Sequence, residues 1–225
     1  PLIDNKNELY GFEALVRWKS PILGEISPSD FITNAEENYM IVPIGNWVLR
    51  EACKMQVRLK NQFNKEFTMS VNISSIQLMQ YDFVETVKSI IKESDISSEY
   101  LTLELTESVF LDSTVLIDEK IKDLKELGIR FSLDDFGTGY ASLTYLRQIA
   151  FDNIKIDKSF IDGIFGTEND QKIVGTIVNL VHNLEMVVIA EGVETKKKYE
   201  YLEQIGTDIC KGFMISDPIT EEHIK

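Results

Sequence analysis

The stretch SLDDFGTGYASL, Ser132 to Leu143, sets two carboxylates side by side at the end of an apolar run and follows them with two glycines. Neighbouring side chains of a strand point to opposite faces, so Asp134 and Asp135 diverge if the strand continues. Gly137 and Gly139 punctuate it. The expectation is therefore a strand that stops at the pair, where the second Asp swings round and shares a target with the first. A hard cation is the obvious shared target. A solvated turn is the plain alternative, since Asp and Gly are common turn residues.

Working outward, the run that ends in this pair, GIRFSLDDFG, is one of seven β-like runs. The others are GFEALVRW, FTMSVNISS, YLTLELTES, FDNIKIDKS, EMVVIAEGVE and DICKGFMIS. Segments with helical spacing alternate with them. IGNWVLREACKMQVRL places Ile44, Trp47, Val48, Ala52, Met55 and Leu59 along one face. NDQKIVGTIVNLVHNLEM does the same with Ile173, Ile177, Leu180, Val181 and Leu184. STVLIDEKIKDLKELG and KKKYEYLEQIG end in Gly128 and Gly206, good helix stops. Strands alternating with helices imply a parallel sheet built from βαβ units. Seven of them point to a closed β/α barrel, with an open doubly wound sheet as the competing arrangement.

Five runs reach a charged or amide residue near the carboxyl end: Asn72, Glu104, Asp134 with Asp135, Lys155 and Glu191; the first run adds Glu13. Parity agrees. Asn72 shares a face with Ser70, Glu104 with Thr102, Asp134 with Ser132 and Lys155 with Asp157. The intervening Met69, Val71, Leu103, Leu133 and Ile154 turn outward to the helices. Acids that repeatedly cap apolar strands are costly to bury unpaired. Together at the mouth of a barrel, where active sites of this architecture lie, they make sense.

The chain of 225 residues is 44% hydrophobic and 27% charged, enough for one well-cored domain or two small ones, with no evident linker. No apolar run is long enough to span a membrane. The opening PLIDNKNELY carries no Met and no signal-peptide pattern, and reads as a domain excised from a longer polypeptide. Cys53 and Cys210 suit buried free thiols in a reducing cytoplasm rather than a disulfide scaffold. A net charge of −14 argues against binding nucleic acid polymers, but not against a small phosphorylated ligand met through metal ions.

The candidate ligands Glu13, Asn72, Glu104, Asp134, Asp135 and Glu191 all offer oxygen, which favours Mg²⁺ or Mn²⁺, with Ca²⁺ as an inhibitory competitor. His182 and His223 lie away from the strand ends. Two ions bridged by Asp134 suit in-line displacement at phosphorus. Lys155 adds a fixed positive charge near the attacking water, and Arg17 suits a bidentate grip on phosphate. The competing readings are that Lys155 merely neutralises Asp157 and that Arg17 forms a surface ion pair.

These residues resemble a known family. Glu13-Ala14-Leu15-Val16-Arg17 looks like the signature of the EAL domains, bacterial phosphodiesterases that open cyclic di-GMP to linear pGpG. The resemblance continues through SPILGEISPSDFITNAEE, VNISSIQL, LELTES, DDFGTGYASL, IKIDKSF and AEGVET, nearly the whole chain. It implies a modified TIM-like (β/α)8 barrel whose first strand is antiparallel, here a single EAL domain over residues 1–225. Glu13, Asn72, Glu104 and Asp134 would hold one Mg²⁺ or Mn²⁺ ion, and Asp134 with Asp135 a second. Lys155 and Glu191 would position or deprotonate the attacking water, with Glu191 also regarded as the general base. Leu15, Arg17 and Asp135 would contact the substrate. Glu107 would brace the Gly137–Tyr140 loop, which contains Gly139, and Glu194 would support the site from behind its contacting residues. A homodimer is implied, as are regulatory or diguanylate-cyclase-like domains elsewhere in a multidomain signalling protein. The setting would be cytoplasmic second-messenger signalling and biofilm regulation, with any membrane anchor outside this domain.

The chain departs from the pattern at Lys211-Gly212-Phe213, where the family usually has Gln-Gly-Tyr, and at Ala141, where Ser is common. That Gln belongs to the active-site set. A lysine there would repel a cation or replace a substrate contact. The alternative function is a receptor module that binds cyclic di-GMP without cutting it. Relatives of that kind are expected to lose metal-binding acids, and this chain keeps them. A barrel enzyme with one Mg²⁺ and an enolate intermediate is a third, more remote possibility.

Overall fold

A computed structural model of the chain describes residues 1–110, 115–138, 146 and 149–224. The candidates Gly139, Tyr140 and Ala141 lie outside the described residues. The strands are β1 (Leu2–Asp4), β2 (Leu9–Ala14), β3 (Trp18–Ser20), β4 (Gly24–Ile26), β5 (Thr68–Asn72), β6 (Leu101–Thr106), β7 (Arg130–Phe136), β8 (Asn153–Ile156), β9 (Val187–Ala190) and β10 (Ile209–Cys210). The main sheet closes on itself in the order β1-β10-β9-β8-β7-β6-β5-β2, an eight-stranded barrel, and β3 pairs with β4 in a separate two-stranded sheet. The expected α/β barrel is thus borne out over the open sheet. So is its antiparallel first strand: β1 runs against both neighbours, β10 and β2.

Two compact units divide the chain. One gathers Pro1–Phe12, Thr106–Ser113 and Arg130–Lys225; the other gathers Glu13–Leu105 and Thr114–Ile129.

In the first unit, β7, β8, β9 and β10 run parallel. Phe131, Leu133, Ile154, Ile156 and Val188 are fully buried. Of these strands, β9 reads as a continuous apolar run, while β7 and β8 alternate the buried apolar residues with Ser132, Asp134, Asn153 and Lys155. Leu2, Ile189 and Ile209 form a small core cluster that ties β1 to the sheet, with Tyr10 and Val187 packed against it. The helices are Lys158–Gly163, Glu168–Asn183 and Lys196–Gln204. The second starts at a capping box: the Thr167 hydroxyl accepts from the Asp170 N–H while the Asp170 carboxylate accepts from Thr167. Its buried residues are Val174, Val178 and Val181, and Ile173 is 46% exposed. The buried stripe therefore sits one residue round from the expected face.

In the second unit, β5 and β6 run parallel, with Ser70 opposite Thr102 and Asn72 opposite Glu104. The helices are Pro28–Glu37, Ile41–Phe63, Ser75–Met79, Phe83–Ser94 and Val115–Glu126. The long helix Ile41–Phe63 buries Ile41, Gly45, Leu49, Ala52, Cys53, Gln56 and Leu59, and exposes Trp47. The expected face holds only at Ala52 and Leu59. It fails because a glycine and a polar residue belong to the buried stripe. Gly45 accommodates the Gln77 side chain, and the Gln56 amide donates to Glu66 and to the Phe67 carbonyl. Cys53 and Cys210 are buried free thiols, each pushed up to about 12 by burial.

Candidate active site

The Asp pair does not end its strand. β7 runs on to Phe136, and its register against β8 shifts between Leu133↔Ile154 and Phe136↔Ile156. Asp134 and Asp135 together therefore oppose the single residue Lys155, which is a β-bulge. Asp135 takes a left-handed backbone at φ +56°, a region that Asp tolerates better than most residues. The irregularity expected at the pair is therefore a bulge rather than a strand terminus. The Asp135 N–H donates to Asp134 Oδ1 at 2.9 Å.

Lys155 is fully buried. An ammonium shielded from bulk solvent must be paired, and its Nζ lies 3.0 Å from Asp134 Oδ2 and 2.9 Å from Glu191 Oε1. Asp157, once its expected partner, has left the strand. It caps the helix Lys158–Gly163, accepting from the Ser159 N–H at 2.9 Å. Glu191 follows β9, fixed by its N–H to the Ile156 carbonyl. Lys211 follows β10, with its N–H on the Ala190 carbonyl at 2.9 Å, and its Nζ reaches the same Glu191 Oε1 at 3.0 Å. Asp134, Lys155, Glu191 and Lys211 thus form a row of alternating charge at the carboxyl ends of adjacent parallel strands.

Around this row, Glu107 is 5% exposed and accepts from the Gly137 N–H at 2.7 Å. Gly137 has φ +97°, and a Cβ there would stand 2.5 Å from the Phe160 ring. Glu194 pairs with Lys158. Burial, then the charges of Asp157 and Glu191, push the Asp135 carboxyl above its ordinary range against the pull of Lys155.

In the other unit, Glu13 Oε1 accepts from Asn72 Nδ2 at 3.0 Å. Glu104, 1% exposed, lies beside Asn72 in register. Leu15 is 41% exposed, and the exposed Arg17 donates from Nη1 to the Val16 carbonyl at 3.0 Å. In the first unit, His182 Nε2 lies 2.9 Å from Asp208 Oδ2, just before β10 rather than after it.

No cluster of three or more His, Cys, Asp or Glu side chains is closed around a cation position among the described residues. The donor set nevertheless fits hard divalent ions. It is all oxygen, the donor type that hard cations prefer, and the Asp135 carboxyl among them is raised first by burial and then by the charges of Asp157 and Glu191. Sequence reasoning missed Lys158 and Phe160, which hold Glu194 and Gly137. They follow the lysine strand directly, but no periodicity reports a contact across elements.

A family model described as EAL domain matches residues 1–218. The chain is 37% identical over 220 residues to the signaling protein YkoW of Bacillus subtilis, covering 98% of this chain and 27% of that protein. It is 35% identical over 219 residues to the bifunctional diguanylate cyclase/cyclic di-GMP phosphodiesterase MucR of Pseudomonas aeruginosa, covering 96% and 32%. The solved structure of the PaMucR phosphodiesterase in complex with c-di-GMP is similar at a TM-score of 0.95 and 33% identity, covering 100% of this chain and 92% of that one. The chain spans about a third or less of the length of these two curated relatives.

Proposed function

The chain belongs to the EAL domain family, and from that premise we propose that it is a metal-dependent phosphodiesterase that hydrolyses cyclic di-GMP to linear pGpG. The observation that carries the reading is Lys155: a fully buried ammonium held between Asp134 and Glu191. Fold stability gives no reason to bury such a row, since well-packed apolar residues do as well or better.

When bound, two Mg²⁺ or Mn²⁺ ions, one on Glu13, Asn72, Glu104 and Asp134 and the other on Asp134 and Asp135, would supply Lewis-acid stabilisation of the attacking and leaving oxygens. The chain's own residues do the rest. Lys155, oriented by its two carboxylates, holds the attacking water and offsets charge on the phosphoryl oxygens. Glu191 accepts the water's proton as its oxygen bonds to phosphorus. The product keeps its phosphate on the 5′ side, so the P–O3′ bond breaks with its electron pair on O3′, which takes up a proton from solvent and leaves as a hydroxyl. Arg17 grips a phosphate and Leu15 packs against the dinucleotide. Ca²⁺ competes without supporting turnover. The domain works in the cytoplasm as a homodimer, coupled to regulatory domains like those of its multidomain relatives.

The test is to incubate the purified chain with cyclic di-GMP and Mg²⁺ or Mn²⁺, with an EDTA control, and to separate the nucleotides by chromatography. Metal-dependent pGpG is expected. Glu13→Ala and Asp134→Asn should each lower the rate on the order of 100-fold or more, since each removes a proposed ligand. Dinucleotide that binds and is recovered intact would replace the enzyme with the receptor reading.

A further inference from the structure

Lys211 is a candidate site residue at which this chain leaves the family pattern, and backbone hydrogen bonds hold it on both sides. The Lys211 N–H donates to the Ala190 carbonyl at 2.9 Å, and the Lys211 carbonyl accepts from the Val193 N–H at 3.0 Å. The next residue, Gly212, lies so close to the Val193 backbone that a Cβ there would collide with it. The Lys211–Gly212 segment is therefore clamped alongside Glu191–Val193, and the lysine side chain is committed to the Glu191 side. Its Nζ meets Glu191 Oε1 at 3.0 Å, the oxygen that Lys155 Nζ meets at 2.9 Å. Only 25% of the Lys211 side chain and 15% of the Glu191 side chain is exposed, so solvent screens this pair little.

We propose that Lys211 is a fixed counter-ion of Glu191, a positioning residue that holds the carboxylate against Lys155 and restrains loading of divalent cations at the neighbouring acids. The proposal rests on the metal-dependent reading above. With glutamine at 211, the row Asp134–Lys155–Glu191 carries one surplus negative charge. With lysine the row is neutral. A doubly charged ion then meets a weaker attraction, and Glu191 is committed to two ammonium groups instead of being free to turn toward the ion. In this chain the site fills only at higher divalent concentration than glutamine at 211 would require.

The experiment is calorimetric titration of the metal-stripped chain with Mn²⁺, without substrate, for wild type, Lys211→Gln and Lys211→Arg. Lys211→Gln should bind Mn²⁺ about tenfold more tightly, and Lys211→Arg, which keeps the charge, should stay within about twofold of wild type. A merely structural role would not produce that split. The metal-free melting temperature should fall by about 2 °C in Lys211→Gln, because a half-buried ion pair is lost. Mn²⁺ affinity that is unchanged or weaker in Lys211→Gln overturns the proposal and leaves the metal reading standing. A metal-free Lys211→Gln that melts higher than wild type also overturns it, since the lysine would then be repelled rather than paired. Absence of Mn²⁺ uptake in all three proteins overturns the metal reading, and the proposal with it.

Discussion

Asp135 combines two stresses at one position: a left-handed backbone and a carboxyl raised mainly by burial. The raised value fixes a sign. An acid whose folded value exceeds its unfolded value opposes folding once pH climbs through the unfolded value, and does so fully above the folded one. Below both values it has no effect. Asp135→Asn should therefore raise the melting temperature of the metal-free protein at pH 8 relative to wild type. The gain should shrink as pH falls below the ordinary Asp range. Any gain left at acidic pH measures the backbone part, because Asn accepts the left-handed region at least as well as Asp and does not titrate. Thermal melts at several pH values check this; a variant no more stable than wild type at pH 8 would refute it. The Asp pair also marks how far residues are legible from the chain alone. Two adjacent acids shortly before a glycine do announce an irregular backbone at that point. The form it takes, a bulge, depends on register with β8, which lies some twenty residues on and leaves no local mark. Asp157 illustrates the same limit. Strand parity puts it beside Lys155, but a helix start captures it first.

Elements tell the same story in their faces and joints. Helix stops at Gly128 and Gly206 are legible because positive φ, +91° and +89°, selects glycine whatever the tertiary context. Which face of a helix is buried is less so. Periodicity counts apolar residues, while Gly45 and Gln56 are buried for a close approach and for hydrogen bonds. The strands β1, β3 and β4 have three residues each, too few for any alternation to register. The joint after β7 yields a prediction at this scale. Gly137 needs both its positive φ and the space taken by Phe160. Gly137→Ala should destabilise the chain by about 2 kcal/mol, the sum of backbone strain and a clash with a ring. Gly175 lies inside the helix Glu168–Asn183 with open space where a Cβ would go. Gly175→Ala should stabilise by roughly 0.5–1 kcal/mol. Urea unfolding of the two variants gives both signs, and equal effects would sink the argument.

On the scale of the whole molecule, the charge balance and the site point the same way. Alternation of apolar strands with helical segments is repeated along the chain, which is why the barrel class is legible. The candidate site residues stand out in the sequence because polar groups at the ends of apolar strands break a strong local rule. The same acids contribute to a net charge of −14, which opposes the compact state through self-repulsion. Monovalent salt should raise the melting temperature modestly by screening that repulsion. A divalent ion that binds the folded chain should do more. At a concentration about 100 times its dissociation constant it stabilises by about 2.7 kcal/mol, which for a chain of this size is a rise of roughly 5–10 °C. The comparison must be made at matched ionic strength, MgCl₂ or MnCl₂ against KCl. Wild type should show the divalent excess and Asp134→Asn should lose it, since Asp134 serves both proposed ions. Scanning calorimetry reads the difference directly. Equal shifts for the two salts, or an excess that survives in Asp134→Asn, would mean that divalent ions act on the acidic surface at large rather than at the strand ends.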